Sequence, residues 1–358
     1  MRRWCSYLCA MVTLLGCVNP FQEEEDALDA PILFGPAVQV ETVAVKGPES
    51  GDTPSASSSF LFAGSQFGVF GSWSRDGVQT PELIFKQQPV ECKEDGSTTN
   101  WAYTPLRYWR KSGIYKFCAV YPAEATCEYG SGPDRLVIKY SMHADHYDLM
   151  AAKATVNVAD IDPLTHRVSL PFNHACAAIR FLFRNGVEDD NTTYHLNSFE
   201  LQNLQTIGVF IYDSQNIVRD DWYPAATRAA SVFEWEASAS DPAFLIPDTY
   251  ASYAQDHTKW LYVIPQTIPQ KASNTETLGD YEPAVHFSVK VNLSDTNDPE
   301  PVHTTLSLAE TTGDYNWEPG YLYTYYIRIQ RSTVRITTVV EPWDSYKVAV
   351  GDVIFLED

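Results

Sequence analysis

The chain is short of three things, and each shortage narrows what it can be. Beyond Leu15 no segment reaches the run of about 18 uninterrupted apolar residues that a membrane-crossing helix needs, so none is read as one. Positive charge is scarce: 25 Lys and Arg face 46 Asp and Glu, a formal net charge of −21. Such a surface repels nucleic acid and anionic lipid, and no nucleic-acid role is expected. Catalytic signatures are missing too. There is no Gly-x-Ser-x-Gly elbow, phosphate-binding loop, Gly-x-Gly-x-x-Gly turn, His-Glu-x-x-His helix or Cys-x-x-Cys pair. Carboxylates are so abundant that an acid pair by itself nominates no glycosidase. One cluster has metal-like composition, His143-Ala144-Asp145-His146 followed by Asp148. Positions three apart on a strand face opposite sides, so a polar loop is the expectation there. No catalytic residue, cofactor or metal site is expected, and the chain is not read as an enzyme.

What is present begins at the N-terminus. Arg2 and Arg3 precede Leu8–Leu15, an apolar run too short to span a bilayer and suited to a signal peptide over residues 1–16. Leu14-Leu15-Gly16-Cys17 resembles the bacterial lipoprotein box, which implies cleavage between Gly16 and Cys17 and acylation of Cys17, for instance by palmitate. Acyl chains contribute roughly 0.8 kcal/mol per buried methylene, so several on one residue make a stable outer-membrane anchor. Loss of Arg2 and Arg3 with the leader leaves 23 basic against 46 acidic residues, a formal charge of −23. Residues 17–36 read as a solvated acidic tether, and the run Glu23–Asp26 resembles the export signal of some Bacteroidetes lipoproteins. Four cysteines follow, Cys92, Cys118, Cys127 and Cys176. They allow three pairings, and buried thiols or one or two disulfides remain open.

The body of the chain reads as β-strand throughout. Its 44% hydrophobic and 13% aromatic content is ample for large cores. Runs such as Gln66–Phe70, Gly113–Val120, Ala177–Phe183, Ile207–Tyr212, Trp260–Ile264, Ala284–Val291 and Tyr321–Gln330 are rich in β-branched and aromatic residues and end at Gly, Pro, Asn or Asp. In the last, Tyr321, Tyr323, Tyr325, Ile327 and Ile329 recur with period two and form one apolar face. A short helix is expected only within Ala225–Asp241. The many short strands point to β-sandwiches. Lys46–Ser59 is a loop without core formers, preceded by the β-prone Val38–Val45. A junction is expected in Asp160–Arg167, which divides the body into 37–165 and 166–358. A terminal apolar strand segment occupies about 344–358. Loop aromatics at Trp222-Tyr223 and Tyr250–Tyr253 suit stacking on sugar rings, which defines the alternative of a surface carbohydrate-binding lipoprotein. His174, beside Phe172, is expected to be a bonded strand residue.

Several phrases, in one order, resemble the fimbrillin family of Bacteroidales pilus subunits. They are Phe62–Phe70 (FAGSQFGVF), Pro105–Trp109 followed by Gly113–Phe117 and Tyr121-Pro122, Asp148–Ala152, Val168–His174 with Ile179–Phe181, Ile264–Gln266, Trp317–Tyr325 and Pro342-Trp343. The resemblance implies an all-β chain of two tandem transthyretin-like Greek-key β-sandwich domains. It also implies export as a lipoprotein, a cut in the loop after the first strand, and polymerisation by β-augmentation. On that basis Val38–Val45 is the expected removable strand and Lys46-Gly47 the processing point. Val348, Val350, Val353, Ile354, Phe355 and Leu356 form the expected donor strand. The implied partners are other fimbrial subunits, the outer membrane through Cys17, and host proteins or glycans as adhesion ligands. Stalk subunits of the family carry Arg in the processing loop, whereas the basic residue here is Lys46. That departure implies either a protease of broader basic specificity or a first strand retained in an anchoring subunit.

Overall fold

Runs of Val, Ile, Tyr, Phe and Thr pack well on a pleated surface, and the Gly, Pro, Asn and Asp between them turn the chain before helices can form. The computed structural model describes residues 27–36, 64–75, 81–95, 98–129, 135–142, 147–161, 167–187, 192–202, 204–213, 222–224, 232–252, 260–268, 275–277, 288–295, 302–307, 315–331 and 333–342. The first part of the chain supplies β1 (Ala27–Pro31), β2 (Leu33–Pro36), β3 (Gln66–Ser74), β4 (Glu82–Asp95), β5 (Thr98–Ala102), β6 (Tyr108–Arg110) and β7 (Ile114–Tyr121). Then come β8 (Thr126–Tyr129), β9 (Arg135–Ser141), β10 (Met150–Asn157), β11 (Arg167–Leu170), β12 (Asn173–His174) and β13 (Ala177–Asn185). Next are β14 (Tyr194–Gln202), β15 (Ile207–Asp213), β16 (Trp222–Pro224), β17 (Val232–Glu236), β18 (Phe244–Leu245), β19 (Leu261–Val263) and β20 (Thr267–Ile268). The last are β21 (Thr275–Thr277), β22 (Ser288–Asp295), β23 (Val302–Ser307), β24 (Tyr315–Asn316), β25 (Tyr321–Ile329) and β26 (Thr333–Pro342). Among the described residues the one helical element is a single 3-10 turn, Val158–Asp160, capped by Asn157.

The strands form several sheets, and these pack on two main hydrophobic clusters. One six-stranded sheet runs β12-β10-β7-β3-β4-β5, and its buried face holds Phe67, Phe85 and Phe117, with Trp109 of β6 packed edge-on against Phe117. A five-stranded sheet, β19-β13-β25-β26-β21, carries Phe181, Phe183, Tyr323 and Tyr325 into the second cluster. That cluster is shared with β17-β14-β22-β23 and β16-β15-β9-β8. Tyr325 stacks on Phe181 at 5.1 Å between centroids, as the period-two reading of the Tyr-rich run anticipates. Strand β25 is buried on both faces, because Leu322 on its other side packs against Trp260 and Ala178.

Three expectations need correction. Within Ala225–Asp241 the described residues, 232–241, hold β17 and no helix. Trp235 lies opposite Phe199 of β14, and alternating Val and aromatic positions next to a buried strand favour pairing over a helical turn. The expected junction at Asp160–Arg167 does not separate the packing. Beyond it, Val168 and Leu170 of β11 belong to the first cluster, and β12 pairs with β10. Before it, Leu136, Ile138 and Tyr140 of β9 belong to the second, through the β9–β15 pairing. Finally, residues 27–36, expected as the end of the tether, are strands β1 and β2.

Candidate functional site

Leu28, Ala30, Ile32 and Phe34 fall at every second position, so an extended chain presents them on one face. Ala30, Ile32 and Phe34 are buried, and Ile32 and Phe34 are 0% exposed, whereas Asp29 between them faces solvent. Strand β1 lies antiparallel to β6, with Ala27 opposite Arg110 and Pro31 opposite Tyr108. Strand β2 runs parallel to β11, with Phe34 opposite Val168 and Gly35 opposite Ser169. At the break between the two strands, the Ile32 N–H donates to the Arg107 carbonyl at 2.8 Å. The Tyr103 hydroxyl donates to the Ile32 carbonyl at 2.7 Å and accepts from the Arg107 N–H at 3.2 Å. Burial raises the Tyr103 pKa, which keeps that hydroxyl a donor.

Phe34 enters an aromatic box. Phe85 and Phe117 meet it edge-on, each at 5.3 Å, and Tyr103 lies at 5.7 Å. Such pairs add roughly 0.5–1.5 kcal/mol each beyond the area they bury. The segment is held by side-chain burial and main-chain pairing. No disulfide joins Cys92, Cys118, Cys127 and Cys176, so no covalent bond from them ties it down. This also closes the disulfide alternative. Burial pushes the Cys127 thiol up to about 12.

Sequence reasoning missed this segment's role, although the Leu28/Ala30/Ile32/Phe34 alternation was there to find. The other expected positions lie elsewhere. Gly16, Cys17, Val38–Val45, Lys46, Gly47, His143–His146 and Val348, Val350, Val353, Ile354, Phe355 and Leu356 are outside the described residues. Of the proposed sugar-stacking aromatics, Trp222 is buried. It packs on Phe210 at 5.2 Å and donates its indole N–H to the Ala175 carbonyl at 2.7 Å. Tyr250 meets Tyr326 edge-on at 4.9 Å, and Tyr253 is outside the described residues. Only Tyr223, 60% exposed, offers a free ring among those described. One isolated ring is a poor sugar platform.

A buried polar group sits between β10 and β12. His174 Nδ1 lies 2.8 Å from Asp148 Oδ2, with both side chains almost wholly buried. Cys176 is close by, so the composition matches a thiol–imidazole–carboxylate triad. The electrostatics run against that chemistry. Burial first, and the Asp148 charge second, push the Cys176 thiol above its ordinary value. A nucleophilic cysteine needs the opposite shift. Among the described residues no group of three or more His, Cys, Asp or Glu side chains is placed to hold a metal ion.

Fold and site together define a structural β-sandwich-type protein whose first two strands form a discrete, non-covalently held part of a core. The chain belongs to the fimbrillin-like family, whose sequence profile matches residues 56–343. It is accordingly a protein of the fimbrial type. No curated protein matches the chain. A crystal structure of a fimbrial protein from Bacteroides vulgatus shares the fold at 16% identity and a TM-score of 0.50, covering 88% of this chain and 99% of that one. A candidate cell adhesion protein from Bacteroides uniformis matches at 14% identity and a TM-score of 0.45, over 81% of this chain and 95% of that one. A fimbrial assembly protein from Parabacteroides distasonis matches at 10% identity and a TM-score of 0.36, over 90% and 97%.

Proposed function

We propose that this protein is a subunit of a cell-surface fimbria, made as an outer-membrane lipoprotein and joined to its neighbours by strand replacement. The leader 1–16 is removed between Gly16 and Cys17, and lipid on Cys17 holds the chain at the outer membrane. The two clusters correspond to two transthyretin-like Greek-key sandwich units that exchange β11 and β9 across the expected junction. A cut at Lys46-Gly47 severs everything N-terminal to it. The strand that leaves is then Ala27–Pro36, in place of the Val38–Val45 expected from the sequence. An extended segment of another subunit replaces it, and the C-terminal residues Val348, Val350, Val353, Ile354, Phe355 and Leu356 supply such a segment. Host proteins or glycans are the adhesion ligands of the assembled fimbria.

The observation that carries this reading is the placement of Ile32 and Phe34. They lie upstream of Lys46, yet they complete the aromatic core of the first cluster. Once the loop is cut, only pairing and burial retain them. Main-chain bonds along β6 and β11 and the emptied side-chain sites are what a replacing strand needs.

The test is limited proteolysis of the full secreted chain with a Lys-specific protease. Cleavage after Lys46 should release the fragment that ends there and yield oligomer ladders on an unboiled denaturing gel, and Lys46→Ala should block both. A chain that loses the fragment yet stays monomeric at high concentration overturns strand replacement.

A further inference from the structure

Strands β13, β25 and β26 turn Phe181, Phe183, Tyr325, Ile327, Val334 and Ile336 into the second cluster, so the residues between them point to the opposite face. On that outer face Arg184 of β13 lies opposite Arg328 of β25, and Arg328 lies opposite Arg335 of β26. Neighbouring strands are about 4.8 Å apart, so three arginine positions fall in one row about 10 Å long. Like charges directly opposite each other destabilise a sheet. Among the described residues no carboxylate forms an ion pair with any of the three. In a chain with 25 basic and 46 acidic residues, composition alone does not account for such a row.

The surroundings hold the row in place without neutralising it. Arg180, two residues before Leu182 on the same face, donates from Nε to Thr324 Oγ1 at 2.9 Å and stacks over Trp260 at 4.4 Å. The Arg184 guanidinium lies 5.8 Å from the Tyr250 ring, which Tyr326 braces edge-on at 4.9 Å. The Arg328 side chain lies across Gly186, where an added Cβ would sit 2.5 Å from its Nε. The Nε atoms of Arg184 and Arg328 are buried and lack a hydrogen-bond partner, although both side chains are only half-buried and Arg335 is exposed. A buried donor without an acceptor costs about 1–3 kcal/mol. Turning these forks toward a shared oxyanion gives the donors acceptors and relieves the repulsion along the row.

We infer that the Arg184-Arg328-Arg335 row binds a densely sulfated polysaccharide, its sulfates accepting charge-assisted hydrogen bonds from the guanidinium forks. The ligand must be thin as well as polyanionic. A bilayer or a nucleic-acid duplex presents its charge over a broad surface, which the net negative protein repels. A single narrow chain meets the row and little else within a screening length of about 8 Å. An extended acidic peptide is also thin, but its same-face carboxylates recur about 6.7 Å apart, against a step of about 4.8 Å in the row. Sulfates on neighbouring carbons of one sugar ring can meet that shorter step. Recognition runs through charge and not through ring stacking, in keeping with Tyr250 and Trp260, whose rings are already engaged. The row is complete in the uncleaved monomer, so the inference stands apart from strand replacement.

The test is binding of the full secreted chain, uncleaved, to a short fluorescent sulfated dextran, read by anisotropy with unsulfated dextran as the blank. Binding that weakens at least about tenfold in the double variant Arg184→Gln/Arg335→Gln supports the inference, provided that Lys93→Gln leaves it unchanged. Lys93 is an exposed cation on β4, in the other sheet. Arg335→Gln alone, at an exposed position, should weaken binding in the same direction and keeps the test valid if the double variant does not fold. No uptake of the sulfated chain overturns the inference, as does uptake that the arginine variants leave alone or that Lys93→Gln lowers equally. Tighter uptake of polyglutamate, or of phosphatidylglycerol vesicles, than of sulfated dextran overturns it too, by assigning the row to an acidic peptide or a lipid surface. Each of these results leaves strand replacement standing, because that reading is decided by the proteolysis above.

Discussion

Tyr103 works on two segments at once. Its ring walls the Phe34 box, and its hydroxyl bridges the Ile32 carbonyl and the Arg107 N–H. Removing only that hydroxyl leaves a buried acceptor and a part-buried donor short of a partner, which costs about 1–3 kcal/mol. Tyr103→Phe should therefore lower the urea midpoint by that amount and speed loss of residues 27–36 after cleavage, with the fold retained by circular dichroism. Unchanged stability and retention would remove Tyr103 from the docking of the segment. The inward residues of that segment were legible, since Leu28, Ala30, Ile32 and Phe34 alternate. Pro31, Pro36 and the neighbouring acids masked the pattern, because they read as a linker. Tyr103 was not legible at all. Its partner lies 71 residues away, and no local pattern encodes that contact.

At the scale of elements, strands were easier to read than their partners. Every long β-prone run, from Gln66–Phe70 to Tyr321–Gln330, overlaps an observed strand, since period-two burial is a local property of the chain. Pairing is not local. The parallel contacts β2–β11 and β13–β25 join distant segments, and β9 pairs with its neighbour β8 on one side and with the distant β15 on the other. The turn into β7 depends on Gly113, which has φ +111°. A Cβ there would lie 2.8 Å from the Ser74 carbonyl oxygen and would press on the Trp73 ring, over which the Arg110 guanidinium stacks at 3.9 Å. Gly113→Ala should destabilise the chain by about 1–3 kcal/mol and change Trp73 fluorescence. A neutral result in urea unfolding would mean that the hairpin relaxes without loss.

For the molecule as a whole, the buried hydroxyls and thiols set an alkaline limit. Burial is the leading cause that raises Tyr103, Tyr115, Tyr121, Tyr140 and Tyr262 above 10.0 and Cys127 and Cys176 above 9.0. These groups keep their protons in the folded state after the unfolded chain has begun to lose them. Their contribution is fully present below about pH 9 and is lost as pH rises through the folded values. The urea midpoint should hold from neutrality to about pH 9 and fall steadily above it. A flat profile to about pH 11 would refute this assignment of buried protonated groups.

What the sequence determined by itself was class and character. Period-two apolar runs with turn residues point to a mostly β chain, the charge balance disfavours nucleic-acid binding, and the ordered aromatic phrases point to the fimbrillin-like family that the profile match shows. These are local or additive properties, so they survive without a structure. Tertiary structure alone decided that residues 27–36 are core and not tether, that the four cysteines form no disulfide, and that β9 and β11 cross the expected junction. The reason is physical. Burial and pairing are decided by which distant surfaces meet, and side chains identical in sequence pattern become tether or core according to whether an aromatic box stands opposite them.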